Sequence, residues 1–204
     1  MDDTDRIARR IAADLDRLAL SGESDLATIA EHVEISPRHL RRIMQQRYGV
    51  SPKAFVQTRR LLLAKHLLTE TNQPITEIAF ASGFSSTRRF NDAFRNQYRL
   101  APRDLRKQVE TPSAKDPADS FTLNLHYRPP FDWAGLIDFF ATHLSQGVDT
   151  VDGHRYLRTI RDGDQTGWMI AEPAANKDAL RITLSASLIR GTGPLLFRLR
   201  DLFD

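Results

Sequence analysis

Asp25-Leu26-Ala27-Thr28-Ile29-Ala30, followed after a short interval by Ser36-Pro37-Arg38-His39-Leu40-Arg41-Arg42, has the pattern of two short helices meeting at a tight corner. Asp25 caps the first helix, which turns Leu26, Ile29 and Ala30 inward, and Val33-Glu34-Ile35 makes the corner. Ser36 supplies a strong N-cap, and Pro37 takes the first helical position, where its missing N–H costs no hydrogen bond. Leu40, Ile43 and Met44 bury one side of the second helix; Arg38, Arg41 and Arg42, with Gln45, occupy the other. A helix entering the DNA major groove needs guanidinium or amide heads near its N-terminal end, and arginine can bind guanine through two hydrogen bonds. The same arginines would also suit a solvated face. Their place directly after a capped turn favours DNA.

Outward from this unit, Ile7, Ala8, Ile11, Leu15 and Leu18 predict an amphipathic helix that stops before Ser21-Gly22. On the other side Gly49-Val50-Ser51-Pro52 closes the unit, and Phe55, Leu61, Leu62, Ala64, Leu67 and Leu68 mark a long helix. Its expected length is about 16 residues, or about 24 Å at 1.5 Å per residue, with Arg59 and Arg60 facing solvent or phosphate. Asn72-Gln73-Pro74 breaks it, and the first pattern returns. Ile75, Ile78, Ala79 and Phe80 make a buried short helix, Gly83-Phe84 the turn, and Ser85 or Ser86 the next cap. Phe90 and Phe94 anchor the second reading helix, with Thr87, Arg88, Asn91 and Arg95 turned away from them and Arg89 at the edge. Two readers on a rigid connector suit sites about one helical turn apart, on the order of 34 Å.

Leu40-Arg41-Arg42, Gly49-Val50-Ser51-Pro52, Arg60, Ala64, Leu67-Leu68, Ile78-Ala79, Gly83-Phe84, Phe90, Phe94 and Ala101-Pro102 closely resemble the AraC/XylS family of transcription regulators, over residues of about 10 to 107. The resemblance implies that Arg38, Arg41 and Arg42 read bases in the first unit, and Thr87, Arg88 and Asp92 in the second. Asp92 departs from the basic or amide residue often found there. It can accept from a cytosine amino group, or it weakens docking of the second reader; the sequence does not choose. The candidate DNA contacts are thus Ser36, Arg38, Arg41, Arg42, Gln45, Ser86, Thr87, Arg88, Asn91, Asp92 and Arg95.

Charge and composition agree with this division. The chain has 204 residues and a net charge of +3. Residues 1–108 hold 19 of the 29 Lys+Arg and 13 of the 26 Asp+Glu, so the front half is basic and the rest acidic. Cysteine is absent, which excludes disulfides, thiolate metal sites and cysteine nucleophiles, and the six histidines form no metal-ligand spacing. No apolar run is long enough to span a bilayer, and the acidic start Met1-Asp2-Asp3-Thr4-Asp5 has the wrong sign for a secretion signal, so a cytoplasmic location is expected.

Residues 109–119 are polar, proline-containing and aperiodic, and read as a linker between a domain at 1–108 and another at 120–204. Beyond it, Phe121, Leu123, Leu125 and Tyr127 alternate as a half-buried strand. Asp132 then caps a helix with Trp133, Leu136, Ile137, Phe140 and Leu144 on one stripe. Strands follow at Tyr156–Ile160, Thr166–Glu172 and Leu180–Ser187, then a helix with Leu195, Leu196, Leu199, Leu202 and Phe203. The expected fold is a mainly α N-terminal domain with two helix-turn-helix units and an α+β C-terminal domain, an antiparallel sheet with helices on one face.

Tyr127-Arg128-Pro129-Pro130-Phe131-Asp132-Trp133, Gly147-Val148-Asp149, Tyr156-Leu157-Arg158 and Leu202-Phe203-Asp204 resemble the N-terminal domain of AlkA-type alkylated-base DNA glycosylases. Bacterial Ada–AlkA fusion proteins carry the two units in this order, between a cysteine methyl-acceptor domain and a helix-hairpin-helix glycosylase domain. The resemblance implies that neither catalytic centre lies in these 204 residues. Asp162 and Asp164 flank Gly163 as expected of a hairpin loop, and Trp133 and Phe140 read as core.

The function expected is a sequence-specific DNA-binding transcription regulator, tied to the alkylation-damage response. The alternative is the non-catalytic portion of an alkylated-base glycosylase in base-excision repair. Expected partners are double-stranded DNA and RNA polymerase; no cofactor, metal or membrane is expected.

Overall fold

A computed structural model describes residues 3–21, 26–108 and 119–203. Of the expected linker at 109–119, residues 109–118 lie outside the described residues, as does the expected cap Asp25. Among the described residues seven helices form the front: α1 (Asp3–Ser21), α2 (Leu26–His32), α3 (Pro37–Tyr48), α4 (Pro52–Glu70), α5 (Ile75–Ala81), α6 (Thr87–Tyr98) and α7 (Pro102–Gln108). The connecting helix α4 has 19 residues, not 16, because Ser51 caps it with Pro52 at its first position. At 1.5 Å per residue it is about 28 Å long.

The back consists of β1 (Ser120–His126), α8 (Trp133–Thr142), β2 (Asp149–Asp152), β3 (Arg155–Asp162), β4 (Gln165–Pro173), β5 (Ala179–Ser185), a 3-10 helix (Ala186–Gly191) and α9 (Thr192–Phe203). The sheet is antiparallel throughout, in the order β1-β5-β4-β3-β2. Phe121, Leu123 and Leu125 lie opposite Leu184, Ile182 and Leu180, and Met169 and Ala171 extend that row across β4. This apolar face meets α8 and α9: Phe140 stacks on Tyr156 at 4.3 Å, and Phe203 stands edge-on to the same ring. Strand β2 carries no legible signal in the sequence, because its four residues alternate half-buried and exposed with little apolar content. Leu144, expected on the α8 stripe, falls past the end of that helix and is exposed.

The buried side chains separate into two cores, and the division does not follow the two halves of the chain. One core joins Ala8, Ile11 and Leu15 of α1 to Ile29, Leu40, Ile43, Met44 and Val56, so it belongs to the first helix-turn-helix with α1 and the start of α4. The other runs from Leu61, Leu67 and Leu68 of α4 through Ile78, Phe90 and Phe94 into Phe121, Ile182, Leu184, Leu188 and Leu199 of the sheet half. The second helix-turn-helix therefore shares its core with the sheet. Edge strand β1 packs against α4, α9 against α1, and the 3-10 helix against α5.

Candidate nucleic-acid interface

In α3, Ser36 has extended backbone and its Oγ accepts from the His39 N–H at 3.2 Å. Gly49, at φ 69°, ends the helix by donating its N–H to Gln45 O. Leu40, Ile43 and Met44 are at most 1% exposed. Arg38, Arg41, Arg42 and Gln45 are all exposed, and their spacing i, i+3, i+4, i+7 puts them on one stripe. Arg38 and Arg41 engage no other side chain among the described residues. Arg42 Nη2 lies 3.2 Å from His39 Nε2. The Gln45 amide bonds back to Gly49 O at 3.1 Å, so here it serves the end of its own helix.

Helix α6 repeats the plan with other side chains. Ser86, not Ser85, is the cap, accepting from the Arg89 N–H at 3.3 Å. Ser85 instead accepts from Arg89 Nη1 at 3.4 Å. Phe84, Phe90, Phe94 and Tyr98 form a ladder with centroids 5.3, 5.5 and 4.6 Å apart, and Phe90 and Phe94 are fully buried. Arg88, Asp92 and Arg95 are exposed on the opposite stripe, whereas Thr87 and Asn91 are half-buried at its margin. Among the described residues none of Arg88, Asp92 and Arg95 has an ion pair.

The turn before α6 needs its glycine. Gly83 sits at φ 80°, and a Cβ there would lie 2.7 Å from Ala19 O and 2.9 Å from Arg60 Nε. Arg60 corrects the expectation of a side chain facing solvent or phosphate: it is half-buried, and its Nε donates to Ala19 O at 2.7 Å. Arg59 is likewise engaged, 2.6 Å from Asp16 and over the Phe55 ring. Burial pushes the Asp16 carboxyl up, and Arg59 only partly counters it. Both arginines tie α4 to α1 and fix the connector between the readers.

A second correction concerns Phe80, expected to be buried. It is 41% exposed, and the Arg190 guanidinium lies 5.6 Å from its ring centroid. The same guanidinium grips Glu77 with Nε to Oε2 at 3.0 Å and Nη2 to Oε1 at 3.3 Å. Those hydrogen bonds hold the Glu77 carboxyl below its ordinary range. Asn124 of β1 donates to Glu70 at the end of α4. Between residues 51 and 100 the only acidic side chains are Glu70, Glu77 and Asp92, so two of the three lie at this junction and are drawn away from the exposed arginines. No local signal foretold these contacts, since Glu77 and Arg190 stand 113 residues apart.

In the sheet half the polar clusters are structural. Asp149 accepts from Tyr156 Oη at 2.8 Å and from the Ser145 N–H at 2.7 Å, with Arg158 Nη1 3.6 Å away. Burial pushes this carboxyl up, but the hydrogen bonds and Arg158 outweigh it and hold it low. Asp162 ends β3 and pairs with Arg198 of α9 at 2.8 Å, pinning the closing helix. Among the described residues no three His, Asp or Glu side chains could hold a metal ion, and no helix is long and apolar enough to cross a membrane.

Comparison with known proteins places this geometry. Residues 29–108 match the model of a helix-turn-helix domain, and residues 122–204 that of the AlkA N-terminal domain. A curated relative, a probable bifunctional transcriptional activator/DNA repair enzyme AlkA from Mycobacterium tuberculosis, is 32% identical over 97% of this chain, which spans 39% of that protein. The transcriptional activator RhaS of Escherichia coli is 37% identical over 79 residues, 39% of this chain and 28% of its own. Among solved structures, the C-terminal domain of AraT, a response regulator from Geobacillus stearothermophilus, matches 57% of this chain and 96% of its own, with 26% identity and a TM-score of 0.51. The chain consists of an AraC-type helix-turn-helix domain followed by an AlkA N-terminal domain.

Proposed function

We propose that the protein is a sequence-specific, double-stranded DNA-binding transcription regulator that presents α3 and α6 to successive major grooves. The observation that carries this reading is the pair of two-sided helices. Each buries one stripe completely and exposes guanidinium groups on the other, and the sheet half docks on α1, α4 and α5 instead. Arg38, Arg41 and Arg42 in the first helix, and Arg88 and Arg95 in the second, are the contacts assigned to DNA. Ser36 and Ser86 act as caps that aim them, and Thr87 and Asn91 border the second stripe.

The names of the relatives support activation, a role in which RNA polymerase would be the protein partner, and the AlkA N-terminal domain supports a place in the alkylation response. These 204 residues contribute binding and not base excision. Release of free base from methylated duplex by this chain alone would overturn that part of the reading. Selection from random duplexes tests the rest: the expected result is one discrete sequence with two protected segments about one helical turn apart. Affinity should fall steeply with salt, as phosphate neutralisation requires. Arg41→Ala should cost about 1–3 kcal/mol and relax preference at particular bases. Uniform weakening on every sequence would reduce Arg41 to a phosphate contact.

A further inference from the structure

The sheet half touches the second helix-turn-helix and leaves α2 and α3 of the first outside its shared core. Its grip falls on α5, the helix that carries the turn into α6. Glu77 and Phe80 are three residues apart and share the outward face of α5, opposite the buried Ile78 and Ala79. On a free helix-turn-helix that face would leave an aromatic ring without cover. Here Arg190 spans both, forked onto the carboxylate and lying over the ring.

Arg190 itself stands on a fixed base. Leu188 and Ile189 beside it are buried, Thr192 Oγ1 donates to Ile189 O at 2.7 Å, and Gly191, Thr192 and Gly193 are buried too. A Cβ at Gly191 would collide with the Asp162 carboxylate, which Arg198 of α9 holds in turn. The chain of contacts runs from β3 through α9 and the 3-10 helix to α5, and from α5 through Phe84 and Phe90 to α6.

From this we propose that Arg190 is a positioning residue for DNA recognition: the AlkA-type half sets the orientation of the second reading helix by clamping Glu77 and Phe80 of α5. The proposal rests on α6 being a reader. It makes recognition of the second half-site depend on a domain that contacts no base, while the first half-site stays independent of it.

The test uses the full chain and the duplex selected by the wild type. Binding is measured on that duplex and on two others, one with each half-site scrambled, giving a discrimination ratio for each reader. Arg190→Ala should shrink the second ratio by about threefold to tenfold, the range of a modest coupling energy, and leave the first unchanged. Lys177→Ala, which removes one exposed cation from a loop of the same half, should change neither ratio. The exchanged pair Glu77→Arg with Arg190→Glu should recover part of the second ratio, because it restores the ion pair but not the cation over Phe80. Arg88→Ala reports on the reading helix directly. If it collapses the second ratio and Arg190→Ala does not, the clamp is overturned and the reading stands. If Arg88→Ala leaves that ratio intact, α6 is no reader and the clamp falls with it. Equal loss of both ratios in Arg190→Ala also overturns the proposal.

Discussion

The two helix-turn-helix units share a plan and differ in what holds them. The first is packed with aliphatic side chains against α1 and presents Arg38, Arg41 and Arg42 on one stripe. The second is packed with an aromatic ladder, continues into the core of the sheet half, and presents two arginines with Asp92 between them. A unit with its own core can dock by charge alone. One with an acidic residue among its exposed arginines gains more from being held in place, because its orientation must supply what its charge does not.

The largest expected effects lie in the two cores. Phe90→Ala should destabilise by about 3–5 kcal/mol, and Met44→Ala by about 2–5 kcal/mol, as for other large-to-small changes at fully buried sites. Their reach should differ more than their size. Hydrogen exchange should quicken in α1–α3 alone for Met44→Ala, but across α5, α6, the 3-10 helix and β5 for Phe90→Ala. Loss of protection confined to α6 would break the claim of a shared core.

Next comes Asp92. Its carboxylate is exposed, and its neighbours Arg88 and Arg95 form no ion pair with it, so its charge stands uncompensated on the face assigned to a polyanion. Asp92→Asn should therefore tighten binding to every duplex, specific or not, by about threefold to tenfold at moderate salt. Loss of preference at a single C·G pair would instead make Asp92 a base reader, and would make the two units more alike than their charges suggest.

Much of this was legible from residue types because the signals are local. A serine cap followed by helical apolar spacing specifies α3 and α6, and clean alternation specifies β1, where Phe121, Leu123 and Leu125 are buried as expected. The failures were non-local. Phe80 has the spacing of a core residue and is exposed, because what covers it is a guanidinium from the other half of the chain. Arg60 has the composition of a phosphate contact and is turned inward by the Ala19 carbonyl. Opposite net charges marked two halves but not their junction, where the signs run the other way: Glu70 and Glu77 belong to the basic half and Arg190 to the acidic one.

The junction should also carry a pH dependence. His66 of α4 is half-buried, and burial lowers its pKa; Glu70 works against this, whereas His126 of β1 and Arg200 of α9 add to it. A histidine whose folded pKa lies below its unfolded value binds its proton more readily when unfolded. Its contribution is therefore complete above about pH 6.5 and is lost as the pH falls below that. Urea midpoints should fall as the pH drops below about 6.5, and His66→Gln should flatten that fall. Asp16, whose carboxyl is pushed up, acts with the opposite sign: its contribution is complete at low pH and is lost as the pH rises. An unchanged slope in His66→Gln would mean that the junction is indifferent to that imidazole.

The smallest effect separates the units at the ends of their reading helices. Both close with a residue in the left-handed region, Gly49 at φ 69° after α3 and Arg99 at φ 56° after α6. Nothing lies within 4 Å of a Cβ built at Gly49, so Gly49→Ala meets no clash and its cost is conformational, about 1 kcal/mol. Arg99→Gly should move the other way, and by less. It relieves a similar strain, but it loosens the unfolded chain and removes a cation that favours the helix C-terminus, leaving a gain of about 0.5 kcal/mol or less. Thermal unfolding of the two variants would compare the units on this one feature. A gain well above 1 kcal/mol in Arg99→Gly would mean that the second unit is strained at its C-terminal end, and that its hold on α5 offsets a defect in the reading helix itself.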